Sequence, residues 1–127
     1  MTKVEIKELL HASMLVDAES GPAEGFEAVC ACDMMSDLLN VMNGAEQNGE
    51  KVILLTQLTN PQVIRTAEMV DIQLVVFLRN KKPGAETVEL AQNFGISLMS
   101  TPYSMYKSCG HLCGANMKDV EDGKERS

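Results

Sequence analysis

Four cysteines, two histidines and a pair of closely spaced aspartates hold most of the chemistry this sequence could perform. Cys30 and Cys32 lie two apart in a segment that alternates like a strand, so their side chains share one face. Cys109 and Cys113 lie four apart in a segment with helical spacing, again on one face, with His111 between them. If that helix covered that strand, four thiolates would converge on Zn²⁺ or an iron–sulfur cluster. The spacings Cys-x-Cys and Cys-x3-Cys nevertheless differ from the Cys-x2-Cys knuckle of most such sites, and a free Cys often serves as a small buried hydrophobe. Core packing is therefore the expected role and no cofactor is expected; zinc or a cluster is the alternative.

A polar loop that follows a strand and leads into a helix is where open α/β sheets bind ligands. Thr56, Thr59 and Asn60 occupy such a loop, and Ser100 and Thr101 follow the next strand but one, so these five are the predicted ligand-binding residues. The competing reading is that Asn60 and Thr101 simply cap helices. No GxxxxGK[ST] or GxGxxG cradle is present. Asp33 and Asp37 share a helical face and could hold a divalent cation or act as an acid/base pair, although an N-cap with a first-turn carboxylate accounts for them with less. His11 and His111 have no nucleophile or orienting group in motif with them, and Ser104 and Ser108 lie in no nucleophile elbow. No catalytic residue is therefore assigned, and an enzyme is not expected.

These residues must be positioned by the surrounding elements. The chain has 127 residues, 45% hydrophobic and 23% charged, which suits one globular domain. A net charge of −7 disfavours duplex nucleic acid and anionic membranes as partners. The one compact basic run, Arg79-Asn80-Lys81-Lys82, falls in an expected strand-to-helix turn and reads as solvated, with a phosphate-binding patch as the less favoured alternative. There is no apolar run long enough for a signal core or a membrane span, so a cytoplasmic protein with reduced thiols is expected.

Thr2 and Glu5 form a capping-box pattern ahead of a helix over residues 3–10, and residues 13–16 read as a strand. Residues 26–32 read as a strand, followed by a helix capped by Asp33 or Ser36. From residue 52 strand and helix alternate: strands at 52–55, 74–78 and 96–99, and a helix opened by Asn60 and Pro61. A further helix closes at Gly95, and a last one is capped by Ser100-Thr101-Pro102. This predicts a three-layer α/β domain over residues 1–116 with a largely parallel sheet, and a polar, unstructured tail over 117–127.

The runs Ile53-Leu54-Leu55-Thr56-Gln57-Leu58-Thr59-Asn60-Pro61, Val75-Val76-Phe77-Leu78-Arg79-Asn80-Lys81-Lys82-Pro83 and Leu98-Met99-Ser100-Thr101-Pro102-Tyr103 resemble the small stand-alone DRTGG-domain proteins of anaerobic bacteria. The loop where the family's name motif would fall reads Ser20-Gly21-Pro22-Ala23-Glu24-Gly25, so that motif has diverged. The resemblance implies a fold like the amino-terminal domain of HPr kinase. It also implies a non-catalytic regulatory or adapter role: sensing a small, nucleotide-like anion, binding a partner protein, or both. It further implies a homodimer and a partner among redox or metabolic enzymes, hydrogenases in particular. The alternative function is a metal- or iron–sulfur-handling redox accessory that uses Cys30, Cys32, Cys109 and Cys113.

Overall fold

The capping box forms as its residues require. In the computed structural model Thr2 accepts from the Glu5 N–H, Glu5 returns the bond to the Thr2 N–H, and helix α1 (Lys3–Leu9) follows. All residues are described except Ser20, Ala23, Glu46, Gln47 and residues 122–127. After α1 come β1 (Ser13–Val16), β2 (Ala28–Ala31), α2 (Met35–Asn43), β3 (Val52–Thr56), α3 (Pro61–Met69), β4 (Leu74–Phe77), α4 (Ala85–Phe94), β5 (Ser97–Ser100), α5 (Met105–Gly114) and β6 (Lys118–Asp119). Asn60 caps α3 by accepting from the Val63 N–H, with Pro61 in the first turn, and Gly95 closes α4 at φ 73°.

The six strands lie in the order β1-β5-β4-β3-β2-β6, all parallel except β1, which runs antiparallel to β5. From β2 to β5 each strand is laid on the same side of the one before. Right-handed crossovers therefore put α2, α3 and α4 on one face. The connection from β5 to β6 travels back across the whole sheet, and the same handedness places α5 on the other face beside α1.

Two cores result. Leu38, Val63, Ile64 and Ala91 from the first face meet Cys30, Leu54, Val75 and Leu98. Ile6, Leu10 and Leu112 from the second meet Ile53, Leu55, Val76 and Met99. Every residue of β3 and β4 is buried, as expected for strands covered on both faces. At roughly 1.5–3 kcal/mol for each fully buried large aliphatic side chain, these two strands anchor the domain.

Four local expectations are corrected. Neither Asp33 nor Ser36 caps α2: its N-cap is Met34, with no side-chain bond, because Asp33 turns to β3 instead. The cap of α5 is Ser104, which accepts from the Lys107 N–H, and not residues 100–102. The β5 strand spans Ser97–Ser100, one residue later than expected. The chain from 117 to 121 is not an unstructured tail. Met117 and Val120 are buried and β6 pairs with Ala28 and Val29 of β2, while residues 122–127 of the expected tail lie outside the described residues.

Candidate functional site

The strands β3, β4 and β5 end in register at Thr56, Phe77 and Ser100, so the polar residues beyond them gather along one sheet edge. The predicted site residues do reach this edge, and the hydroxyls of Thr56, Ser100 and Thr101 bond within the fold. Thr56 Oγ1 donates to Asp33 Oδ1 at 3.0 Å and accepts from the Leu58 N–H. Ser100 Oγ donates to the Lys81 carbonyl at 2.9 Å. Thr101 Oγ1 donates to the Leu10 carbonyl and accepts from the Tyr103 N–H. Thr59 offers its carbonyl to Thr87, and Asn60 caps α3. These bonds hold the edge together; each hydroxyl of Thr56, Ser100 and Thr101 already has its partner inside the fold.

Asp33 is the buttress between β2 and β3. Its carboxylate accepts from Thr56 Oγ1, from the Gln57 N–H at 2.8 Å and from Gln57 Nε2 at 3.2 Å. Burial opposes its ionisation, but these three donors outweigh burial and hold the carboxyl below the usual aspartate range. Asp37 lies apart from this network, on the exposed side of α2, so the two aspartates do not act as a pair.

What faces outward at this edge is cationic. The exit of β4 leads to α4 on one face and the exit of β5 leads to α5 on the other, which is the topological switch point of an open sheet. There Arg79 and Asn80 are consecutive residues with positive φ, 58° and 59°. Their N–H groups donate to the carbonyls of Tyr103 and Thr101, which overcomes the cost of that backbone. The bonds pin the exposed run Arg79-Asn80-Lys81-Lys82 against the segment that leads into α5.

On that segment the Tyr103 ring stacks on His111 at 5.1 Å between centroids and meets His11 at 5.6 Å. The Lys107 ammonium sits 4.2 Å from the Tyr103 centroid. Among the described residues Arg79, Lys81, Lys82 and Lys107 make no ion pair. Sequence reasoning reached the basic run of this group only as the less favoured phosphate-binding alternative, and did not bring Lys107 or Tyr103 to it. Its only local signal was the basic run, and that run gains meaning once α5 is known to leave on the opposite face from α4.

The cysteines surround a different feature. A cleft of about 580 Å³ opens where β6 ends after two residues and leaves the outer edge of β2 uncovered. It is lined by Cys30, Cys32, Asp37, Cys109, Cys113 and Glu121, among others. The two pairs come from opposite faces of the sheet: Cys30 and Cys32 pack with the α2–α4 core, and Cys109 with the α1/α5 core. The helix covers Val29 rather than Cys30, so the arrangement that would converge four thiolates is not formed. Among the described residues no three His, Cys, Asp or Glu side chains are gathered to hold a metal ion.

No family model matches this sequence, and no curated protein matches it. Among solved structures, the fold is similar to that of the CBS and DRTGG domains of the regulatory region of a Clostridium perfringens pyrophosphatase, complexed with its activator diadenosine tetraphosphate. The TM-score is 0.65 at 15% identity, over 94% of this chain and 48% of that one. This chain thus spans about half the length of that structure, and the likeness is one of fold. It is the α/β fold that the DRTGG resemblance implies. Among the described residues no helix is long and apolar enough to cross a membrane.

Proposed function

We propose that this chain is a regulatory ligand-binding domain that takes a polyphosphate anion, of the nucleotide kind, at the switch point between β4 and β5. The observation that carries the reading is the group of cations there, Arg79, Lys81, Lys82 and Lys107, unpaired among the described residues, on a chain of net charge −7. An acidic protein repels anions on average, so a concentrated cationic rim acts as a local attractor within that field. Tyr103 keeps Lys107 in place through its ring. The regulatory region of similar fold is complexed with a dinucleoside polyphosphate, which fits the same ligand class.

With its binding groups on the sheet edge and no catalytic set assigned, the domain signals occupancy by changing an association. The associations proposed are a homodimer and a redox or metabolic enzyme as partner. Calorimetric titration of the full chain at low salt with inorganic tripolyphosphate, ATP and diadenosine tetraphosphate tests the reading. Saturable binding without phosphate release is expected, weakening as salt rises. The Arg79→Ala/Lys82→Ala variant is expected to bind at least about tenfold more weakly, two charge-assisted contacts of about 1 kcal/mol or more being lost. Absence of binding, or equal binding by the variant, would overturn it.

A further inference from the structure

Cys30 and Cys32 sit at the mouth of the cleft with their sulfurs 3.9 Å apart, each the hydrogen-bond partner of the other. Cys30 is 4% exposed, whereas Cys32, just past the end of β2, is only half-buried. The Cys32 N–H donates to the Leu55 carbonyl, so the segment continues extended beside β3 and both thiols stay on one face. Two residues on an extended strand span about 6.6 Å at ~3.3 Å per residue. That lies within the upper range a disulfide bridges.

The two thiols are unequal in a useful way. Hydrogen bonding to Cys30 holds Cys32 below the usual thiol range, against burial and the carboxylates of Asp37 and Asp33. The same bond, together with burial and the neighbouring carboxylates, pushes Cys30 up. The more accessible sulfur is Cys32 and the buried one is Cys30, which is the division of labour between an attacking and a resolving cysteine. Beside them lies a cavity of about 580 Å³, within the range that holds a small molecule. Among the described residues, Asp37, Asp119 and Glu121 line it against one cation, Lys118.

From this geometry we infer that Cys30 and Cys32 form a thiol–disulfide exchange site whose substrate is a small disulfide without negative charge. The Cys32 thiolate attacks one sulfur of the disulfide, forming a mixed disulfide and releasing the first thiolate, which takes up a proton. Cys30, giving up its proton, attacks Cys32 Sγ and releases the second thiol. The disulfide substrate gains two electrons and two protons and becomes two thiols; the two cysteines lose them and become one disulfide. The acidic lining selects against anionic disulfides.

Reduced full-length protein is treated separately with cystamine, 2-hydroxyethyl disulfide and dithiodiglycolate, and followed by thiol titration and peptide mapping. The expected product is the intramolecular Cys30–Cys32 disulfide, formed about tenfold faster with cystamine than with dithiodiglycolate at low salt and with convergence at high salt. Cys32→Ser is expected to lose this reaction. Cys30→Ser is expected to stop at a mixed disulfide on Cys32. Modification confined to the exposed Cys113, or a Cys32→Ser rate equal to that of the unaltered protein, overturns the inference. So does equal reactivity towards the cationic and anionic disulfides at low salt. Because Cys32→Ser is altered at a half-buried position, its fold is checked by thermal melting and by retention of tripolyphosphate binding.

Discussion

The two ends of this sheet edge are built from opposite materials. Between β4 and β5 the crevice is closed by main-chain bonds from Arg79 and Asn80 to Tyr103 and Thr101, and what reaches solvent is positive. Beside β2 the sheet stops short, because β6 pairs only with Ala28 and Val29, and a cleft lined by thiols and carboxylates remains. Helix α5 serves both. Lys107 and His111, four apart, lie on Tyr103, while Cys109, Leu112 and Cys113 line the cleft. One crossover helix, sent back across the sheet by its handedness, thus separates a cationic rim from an acidic dithiol pocket.

If the comparison is sound, the two regions fail independently. The largest contrast pairs Arg79→Ala/Lys82→Ala with Cys32→Ser. The first is expected to lose anion binding and keep disulfide exchange, and the second to do the reverse; loss of both activities in either variant would break the distinction. Next in size is Asp33→Ala, which strips the partner from Thr56 Oγ1 and the Gln57 N–H between the two regions. Chemical denaturation is expected to show a loss of about 2 kcal/mol, that of a bond to a charged group.

The sign of its pH dependence follows from the lowered carboxyl. The contribution of Asp33 is full above the unfolded pKa of about 4 and disappears as pH falls through the folded value. The advantage of the unaltered protein over Asp33→Ala should therefore shrink in acid. An advantage that grows below pH ~4 would contradict the assigned network.

Ser108 tests the shared helix. Its hydroxyl is buried without a hydrogen-bond partner among the described residues. Ser108→Ala is expected to raise stability by about 1 kcal/mol in the same denaturation experiment and to leave both sites intact. A destabilised variant would mean that the hydroxyl has a partner. The smallest effect is expected of Tyr103→Ala, which releases Lys107 from its ring. Tripolyphosphate affinity should fall about two- to fivefold, the worth of an exposed cation–π contact of about 0.5–1 kcal/mol, with exchange at Cys32 unchanged.

Much of the fold is legible in the sequence because its signals are local. The Thr2–Glu5 box, Asn60 before Pro61, Gly95 after α4, and the unbroken apolar runs of β3 and β4 each report a nearby backbone requirement. β6 is illegible because a two-residue strand of Lys and Asp carries no hydropathy period, and its reason to exist lies in Met117 and Val120, which it carries into the two cores.

The sites follow the same division. That Cys30 and Cys32 share a face is readable from their spacing. That α5 covers the opposite face depends on the direction of a crossover spanning the whole sheet. Likewise the spacing of Thr56, Ser100 and Thr101 does not show that the carboxylate of Asp33 and the carbonyls of Lys81 and Leu10 reach their hydroxyls from distant segments. The basic run was visible as the less favoured phosphate-binding reading, and the structure adds Lys107, held on the Tyr103 ring, to it.

The central claim is that the β4–β5 switch point binds a polyphosphate through its exposed cations. Calorimetric titration of the full chain with inorganic tripolyphosphate at low salt, beside Arg79→Ala/Lys82→Ala, tests it most directly. Saturable binding that the variant loses by at least about tenfold is the expected result. No heat of binding, or an isotherm the variant reproduces, would contradict it.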